Sequence, residues 1–135
     1  MYLPPIPCNT RHMALSHDLG RVSERFAAEY LEQRGYRILE RNYRVGHKEV
    51  DLIAARPGLI VFVEVKARAG PAYGHPLDAI TWAKRREIEY VARVWIAARG
   101  RPGLTYRFDA VAVLWSQGHA RIEHVPNAWI AAGRA

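Results

Sequence analysis

Apolar residues recur along this chain with two periods, one helical and one typical of strands. Residues 18–34 carry an apolar stripe at helical spacing, which predicts an amphipathic helix. Asp18 is a suitable N-cap for this helix, and Gly35 is well placed as the residue that ends it. Three strands are predicted to follow, over residues 36–43, 49–56 and 59–66.

The second half of the chain repeats the order of helix and strands. Residues 67–75 predict a loop, and residues 76–99 carry a long helical pattern that Gly100 and Pro102 end. Two strands that close as a hairpin and a short last helix are predicted over residues 104–115, 120–125 and 127–132. The predicted fold class is therefore α/β, with the order α-β-β-β-α-β-β-α and helices flanking a mixed sheet.

Length and charge narrow the class of protein. The 135 residues suffice for one domain, predicted over residues 18–135 after a disordered leader of residues 1–17, in which Met13 is an alternative start. The net charge of +7 favours a nucleic-acid partner. No apolar run approaches the ~20 residues of a membrane span, so we expect a cytoplasmic protein without a membrane partner. The single cysteine, Cys8, excludes an intrachain disulfide, and no glycine-rich phosphate loop indicates nucleotide hydrolysis.

An aspartate and a Glu-Val-Lys triplet lie inside two apolar strands that the turn Pro57-Gly58 joins. A hairpin that pivots on this turn places Asp51 directly across from Glu64, and Glu49 across from Lys66. A three-residue loop would shift the pairing by one and leave Asp51 and Glu64 diagonal. Because side chains alternate along a strand, Glu64 and Lys66 are predicted to point to the same face.

The facing pair Asp51 and Glu64 needs a cation or a shared proton, because like charges across a strand pair destabilise a sheet. Oxygen ligands without clustered Cys or His suit Mg²⁺ or Mn²⁺ better than Zn²⁺. Such an ion beside Lys66 would supply the chemistry of phosphodiester hydrolysis. Glu24 lies at the margin of the first helix's apolar stripe and could reach the sheet, although a solvated glutamate is the simpler interpretation of that position.

A structural interpretation of the acidic pair competes with the catalytic one. In that interpretation Glu49 pairs with Lys66, while Asp51 and Glu64 are exposed at a strand end. Both carboxylates are, however, embedded in apolar sequence, where an unmatched charge is costly.

Two further residues have open roles. Trp82 lies next to a basic stretch where a base could stack, but a core position is the simpler interpretation. Asp109 lies in an apolar strand, and its role is either structural or supporting to the site.

Several stretches of the chain resemble one family. They cover residues 19–131 and read LGRVSERFAAEYLEQRGYRILERNYR, EVDLIA, VFVEVKAR, YGHPLDAITWAKRREIEYVA, RFDAVAV and IEHVPNAWI. The combination of EVDLIA and VFVEVKAR after such a helix resembles the YraN-like family of predicted endonucleases. This is a restriction-endonuclease-like group, similar in core to archaeal Holliday-junction resolvases. The resemblance implies a sheet flanked by helices and a nuclease-type site.

The resemblance also implies roles for individual residues. The implied metal ligands are Asp51, Glu64, Glu24 and the carbonyl of Val65. The implied catalytic residues are Asp51, Glu64, Lys66 and, as an accessory carboxylate, Glu24. Glu49 and Lys84 match family positions and are given supporting roles. The chain departs from the family pattern at Ser23 and Lys48, where glycine is usual. Candidate nucleic-acid contacts are Arg68, Lys84, Arg85 and Lys48.

Three functions are compatible with the sequence. The first is a Mg²⁺- or Mn²⁺-dependent endonuclease that hydrolyses DNA phosphodiester bonds, with branched or damaged DNA among its candidate substrates. The second is a module that binds nucleic acid without cutting it. The third is a scaffold in which the acidic cluster is an ion-pair network. A resolvase-like role would need a symmetric homodimer, because a four-way junction presents two symmetry-related strands.

Overall fold

Two helices and five strands form the part of the chain that the computed structural model describes, residues 16–69 and 76–132. The elements are α1 (Ser16–Gln33), β1 (Arg37–Val45), β2 (Lys48–Arg56), β3 (Leu59–Ala69), a 3₁₀ turn (Pro76–Ala79), α2 (Trp82–Arg99), β4 (Thr105–Ser116) and β5 (His119–Trp129). This confirms the predicted α/β class and the order of the elements up to the last strand.

The strands form one mixed sheet in the order β1-β2-β3-β4-β5. All neighbouring strands are antiparallel except β3 and β4, which are parallel. Helix α2 lies between β3 and β4 in the chain, as a parallel connection requires. The mixed sheet flanked by helices that the resemblance implied is therefore confirmed.

The core has two layers because each face of the sheet is covered by one helix. The layer under α1 includes Phe26, Leu31, Val61, Val63, Val111 and Val113. The layer under α2 includes Ile60, Phe62, Ile88, Val91, Trp95 and Trp129. Strand β3 contributes alternate residues to both layers, which explains its unbroken apolar run.

The structure corrects three helix or strand boundaries. Helix α1 begins at Ser16, so Asp18 lies inside it and is not its N-cap. Helix α2 begins at Trp82 rather than at residue 76, because the Thr81 side chain accepts a hydrogen bond from the Lys84 amide and caps the helix there. Strand β3 continues through Ala69, three residues into the predicted loop.

The predicted last helix over residues 127–132 is wrong. Strand β5 continues to Trp129, with Asn127 in the left-handed region at φ 52°. The buried carboxylate of Glu89 accepts hydrogen bonds from Trp129 Nε1 at 3.0 Å and from the Ala132 amide at 3.1 Å. These bonds tie the chain end to α2 in an extended path, which local helix propensity could not reveal.

Two predictions concern residues outside the described part of the chain. They are the disordered state of residues 1–15 of the predicted leader and the loop conformation of residues 70–75. Neither of the two described helices is long and apolar enough to cross a membrane.

Candidate active site

Strands β2 and β3 separate at the position of Asp51 and Glu64. Their pairing extends from Arg56 and Leu59 to Leu52 and Val63, in the register that the Pro57-Gly58 turn predicted. Beyond that point the backbone ladder ends. There a side chain takes the place of a backbone acceptor: Asp51 Oδ2 accepts a hydrogen bond of 2.7 Å from the Val65 amide.

The register of this turn was predicted correctly, but the strand pairing does not continue to Asp51 and Glu64. A continued ladder would give the Val65 amide the carbonyl of Val50 as its acceptor. The Asp51 side chain takes this role instead. The amide and carbonyl of one strand residue point to the same side, so the Val65 carbonyl also faces this gap between the strands.

The alternation of side chains breaks at Asp51. Val50 packs in the layer under α2, whereas Leu52, two residues later, packs in the layer under α1. Regular alternation would put both on one face. On the neighbouring strand, Asn42 adopts a left-handed conformation at φ 50°. The distortion directs Asp51 into the gap between the strands, where its carboxylate meets β3.

Glu64 brings a second buried carboxylate to the gap. Its side chain is only 4% exposed, and its Oε2 lies 3.6 Å from Lys66 Nζ. Its Oε1 is buried and has no hydrogen-bond partner among the described residues. Lys66 lies on the same face as Glu64, as the alternation predicted.

Burial makes ionisation of both carboxylates costly, and the charge of Glu64 adds to that cost at Asp51. Burial, followed by the charge of Glu64, raises the pKa of Asp51 well above its usual value. Burial also raises the pKa of Glu64, although Lys84 and Lys66 oppose that shift. Such a pair holds two negative charges only when a cation approaches it.

Helix α2 supplies a cation that the sequence had assigned only to nucleic-acid contact and support. Lys84 Nζ lies 3.0 Å from Glu87 Oε2 at the start of this helix. Burial opposes the charge of Lys84, but Glu64 and Glu87 outweigh burial and raise the pKa of Lys84. Lys84 therefore stays charged beside the carboxylate pair.

Glu24 reaches the neighbourhood of the pair from α1. Its Oε1 accepts a hydrogen bond of 2.9 Å from Asn42 Nδ2. Burial, together with the charges of Asp51 and Glu49, raises its pKa above the usual value. Within residues 16–69 and 76–132, however, no three Asp, Glu, His or Cys side chains form a group that could hold a metal ion. Glu24 is thus near Asp51 but not joined with the pair in one ligand group.

The salt-bridge interpretation of the acidic pair is wrong in its details. Glu49 does not pair with Lys66: it lies 3.5 Å from Arg44 Nε, and its amide donates to Glu87 Oε2 at 3.3 Å. Asp51 and Glu64 are buried rather than exposed. Glu49 instead links β1, β2 and the start of α2, which is a supporting position.

The candidate nucleic-acid residues lie around the same end of the sheet. Arg68 is exposed on the face of β3 that carries Glu64. The Arg85 guanidinium lies 4.7 Å from the ring centroid of Trp82, and Lys48 Nζ lies 5.1 Å from that of Tyr90. Trp82 is 71% exposed, so its predicted core position is wrong.

Asp109 belongs to a separate network. It is fully buried and forms two hydrogen bonds of 2.8 Å with the Arg107 guanidinium. His124 Nε2 lies 2.7 Å from its Oδ2, and the Asn127 amide donates to its Oδ1 at 2.9 Å. The role that the sequence left open is therefore structural.

Sequence reasoning missed three residues that shape the site. Asn42 bonds Glu24, Glu87 links Lys84 to the Glu49 backbone, and Thr81 sets the start of the helix that carries Lys84. An asparagine inside a strand and a threonine three residues before a lysine are weak local signals. Their contacts depend on which elements pack together.

The fold and this gap define the class: an α/β domain whose mixed sheet holds a buried pair of carboxylates between two strands. Residues 23–113 match the model of a family described as Uncharacterised protein family UPF0102. The match covers more than half of the chain, and the chain belongs to this family. The family that the motifs indicated is thereby confirmed.

Relatives from several bacteria match over most of their length. A UPF0102 protein of Rhodococcus jostii is 44% identical over 118 residues, which cover 87% of this chain and 100% of that protein. One of Trichlorobacter lovleyi is 47% identical over 113 residues, covering 82% and 89%. Among solved structures, SfsA of Pyrococcus furiosus in complex with Ca²⁺ matches with 14% identity and a TM-score of 0.34, covering 82% of this chain and 61% of that one. A likeness of this size carries no inference.

Proposed function

We propose that this protein is a Mg²⁺- or Mn²⁺-dependent endonuclease that hydrolyses phosphodiester bonds of nucleic acid, with DNA as the expected substrate. One observation carries the proposal: Asp51 and Glu64 are buried together, and Glu64 Oε1 has no partner within the described residues. A buried carboxylate oxygen without a partner is costly unless a ligand meets it.

The residues present suit a hard divalent cation. The gap offers two carboxylates and faces the carbonyl of Val65, which are oxygen donors of the kind that Mg²⁺ takes together with water. When bound, the ion would polarise a phosphoryl oxygen and lower the pKa of a coordinated water. The Val65 amide holds the Asp51 carboxylate in a single orientation, so the pair is preorganised for such an ion.

The two lysines supply positive charge where a phosphate would lie. Lys66 is half-buried next to Glu64, and Lys84 approaches from α2. Either ammonium can stabilise the negative charge that develops on a phosphate during hydrolysis. Lys66, which shares the strand face of Glu64, is the residue that we assign to this role, with Lys84 in support.

The surface around the pair suits a nucleic-acid strand. Arg68 and Arg85 provide charge for phosphates, and Trp82 provides an exposed aromatic face. An exposed tryptophan beside cations favours substrates with unpaired bases, such as flaps or branches. We expect Trp82→Ala to weaken binding of a flap more than of a blunt duplex, by an amount on the order of 1 kcal/mol or more.

The test is cleavage of labelled linear, nicked, flapped and four-way-junction DNA with Mg²⁺, with Mn²⁺ and with EDTA. Wild type is compared with Glu64→Gln and with Glu29→Gln, a matched variant on the exposed side of α1. We expect metal-dependent cutting that Glu64→Gln lowers by roughly a hundredfold or more and that Glu29→Gln leaves unchanged. Equal cutting by Glu64→Gln and wild type would contradict the proposal.

A non-cleaving binding module is the second candidate. It is favoured by the partners that both carboxylates already have, Asp51 with the Val65 amide and Glu64 with Lys66. This module would bind the junction or flap with strong salt dependence and cut none of the substrates. Sedimentation of the protein with a four-way junction would also show whether a symmetric homodimer forms on that substrate.

A further inference from the structure

A second cavity lies at the opposite end of the sheet from Asp51 and Glu64. Its volume is about 640 Å³, within the range of small-molecule sites. It lies between the β2–β3 turn, the start of β1 and the loop that joins α2 to β4. Along β3, Ile60 in its wall is about 13 Å from Glu64, so this cavity is separate from the proposed active site.

The cavity combines an apolar interior with a purely basic rim. The apolar lining includes Leu39, Ala55, Ile60, Trp95 and Leu104. Among the described residues, no acidic side chain lines the cavity, whereas four arginines do: Arg37, Arg56, Arg99 and Arg101. An apolar cavity with this rim has the charge of an anion-binding site.

The four arginines differ in whether their guanidinium groups already have a partner in the protein. Arg99 Nη1 lies 2.6 Å from Glu40 Oε2, and the Arg56 guanidinium lies 4.7 Å from the ring centroid of Tyr36. Within the described part of the chain, the side chains of Arg37 and Arg101 form no hydrogen bond or ion pair. These two guanidiniums are free to bind a ligand's oxygens in the forked geometry that suits phosphate.

The wall and rim of the cavity are also held in place. The Thr105 amide donates to the Gly58 carbonyl at 2.9 Å, which ties the β2–β3 turn to the start of β4. Trp95 packs edge-on against Phe62, with ring centroids 5.8 Å apart. The indole N–H of Trp95 is buried without an acceptor among residues 16–69 and 76–132. The cavity wall is therefore fixed before any ligand binds.

We propose that this cavity binds a phosphorylated nucleoside, with the phosphate on Arg37 and Arg101 and the base against the apolar wall. A bare inorganic anion would leave the apolar wall uncovered, and an uncharged aromatic compound would leave the arginines unused. The ligand is either a free nucleotide or the terminal nucleotide of a strand. Both sources present the same chemistry to the cavity.

The test is titration calorimetry in EDTA with AMP, adenosine, inorganic phosphate and a 5′-phosphorylated oligodeoxynucleotide. AMP or the oligonucleotide is expected to bind about tenfold or more tightly than adenosine or phosphate, because only these ligands use both parts of the cavity. Binding of AMP identifies a free nucleotide as sufficient. Binding of the oligonucleotide but not of AMP, weakened by loss of Arg37 and Arg101, identifies the strand end as the ligand.

Matched variants assign the binding to this cavity. The double variant Arg37→Ala, Arg101→Ala is expected to weaken binding about tenfold, since it removes charge-assisted hydrogen bonds. Arg86→Ala, Arg93→Ala loses the same charge from the exposed surface of α2 and should change binding less than about twofold. Glu64→Gln should leave binding of AMP unchanged, so failure of the nuclease proposal would not affect this result.

Three results would overturn the proposal. One is the absence of saturable binding by either nucleotide ligand. Another is equal loss of affinity in the two double-arginine variants, which would indicate general attraction to a basic protein. The third is equal binding of phosphate and AMP, which would make the site one for anions without a nucleoside.

Discussion

The sheet holds buried carboxylates at two places, Asp109 at one and the pair Asp51 and Glu64 at the other. The two places differ in how many partners meet the negative charge. Asp109 on β4 has hydrogen-bonding groups at both oxygens, from Arg107, His124 and the Asn127 amide. Asp51 accepts a hydrogen bond from the Val65 amide, and one oxygen of Glu64 has no partner in the described residues. We call the Asp109 network the complete group and the pair Asp51 and Glu64 the incomplete group, because only the first has its charge met within the protein.

The pKa values of the two groups move in opposite directions. Burial alone would raise the pKa of Asp109, but hydrogen bonds from His124, Arg107 and Asn127 outweigh burial and lower it. Burial raises the pKa of Asp51 and of Glu64, and the donors near them do not compensate. The difference teaches that burial by itself does not mark a functional carboxylate. The informative feature is burial without sufficient partners.

The largest expected effect is the loss of the complete group. Asp109→Ala deprives the Arg107 guanidinium and the buried His124 of the carboxylate that both bind. Breaking a buried pair in this way costs roughly 3–5 kcal/mol. We expect a loss of this size in the free energy of unfolding, measured by urea denaturation.

Glu123→Ala is the matched control for that experiment. Glu123 lies 2.7 Å from Arg121 on β5, but both side chains are about two-fifths exposed, at 39% and 40%. We expect a loss of at most about 1 kcal/mol from removing this surface pair. Similar losses in the two variants would mean that the Asp109 network has no special structural role.

The second expected effect tests whether the incomplete group is completed by a cation. At a concentration of about one hundred times its Kd, Mg²⁺ or Mn²⁺ should raise the free energy of unfolding by ~2.7 kcal/mol. Asp51→Asn should remove most of this gain, whereas Glu29→Gln should retain it. Thermal melting with each metal and with EDTA measures the shift. A shift that persists in Asp51→Asn would place the ion elsewhere.

The third expected effect is a gain in stability from a conservative change at the incomplete group. Glu64→Gln keeps the shape of the side chain and removes one of two facing negative charges. In EDTA we expect the variant to be more stable than wild type, because burial disfavours the charge of Glu64 and the amide carries none. Denaturation in urea is the measurement. A loss of more than about 1 kcal/mol would indicate that Lys66 depends on this carboxylate for stability.

The smallest expected effect is a pH dependence at the complete group. The pKa of Asp109 is lower in the folded protein than its ordinary value of 3.8. Its stabilising contribution is therefore full above pH 3.8 and declines as the pH falls through the folded pKa. The stability difference between wild type and Asp109→Asn should shrink below about pH 4. A difference that stays constant down to pH 2 would contradict the lowered pKa.

Much of the candidate site could be predicted because it depends on local geometry. Pro57-Gly58 determines the register of β2 and β3, and strand alternation puts Lys66 beside Glu64. The exposed position of Trp82 and the extended path after Asn127 could not be predicted in this way. Each depends on which surface the helix or strand meets after folding, and the apolar pattern does not contain that information.

By itself, the sequence determined the α/β order, the turn register and the pair of carboxylates that could share a cation. These follow from periodicity and turn chemistry, which act over a few residues. Only the tertiary structure decided that the Asp51 side chain accepts the hydrogen bond of the Val65 amide and that Lys84 approaches the pair from α2. It also decided that residues of two strands supply the hydrogen bonds to Asp109. Such contacts join residues far apart in the chain, so they exist only once the sheet and its helices have packed together.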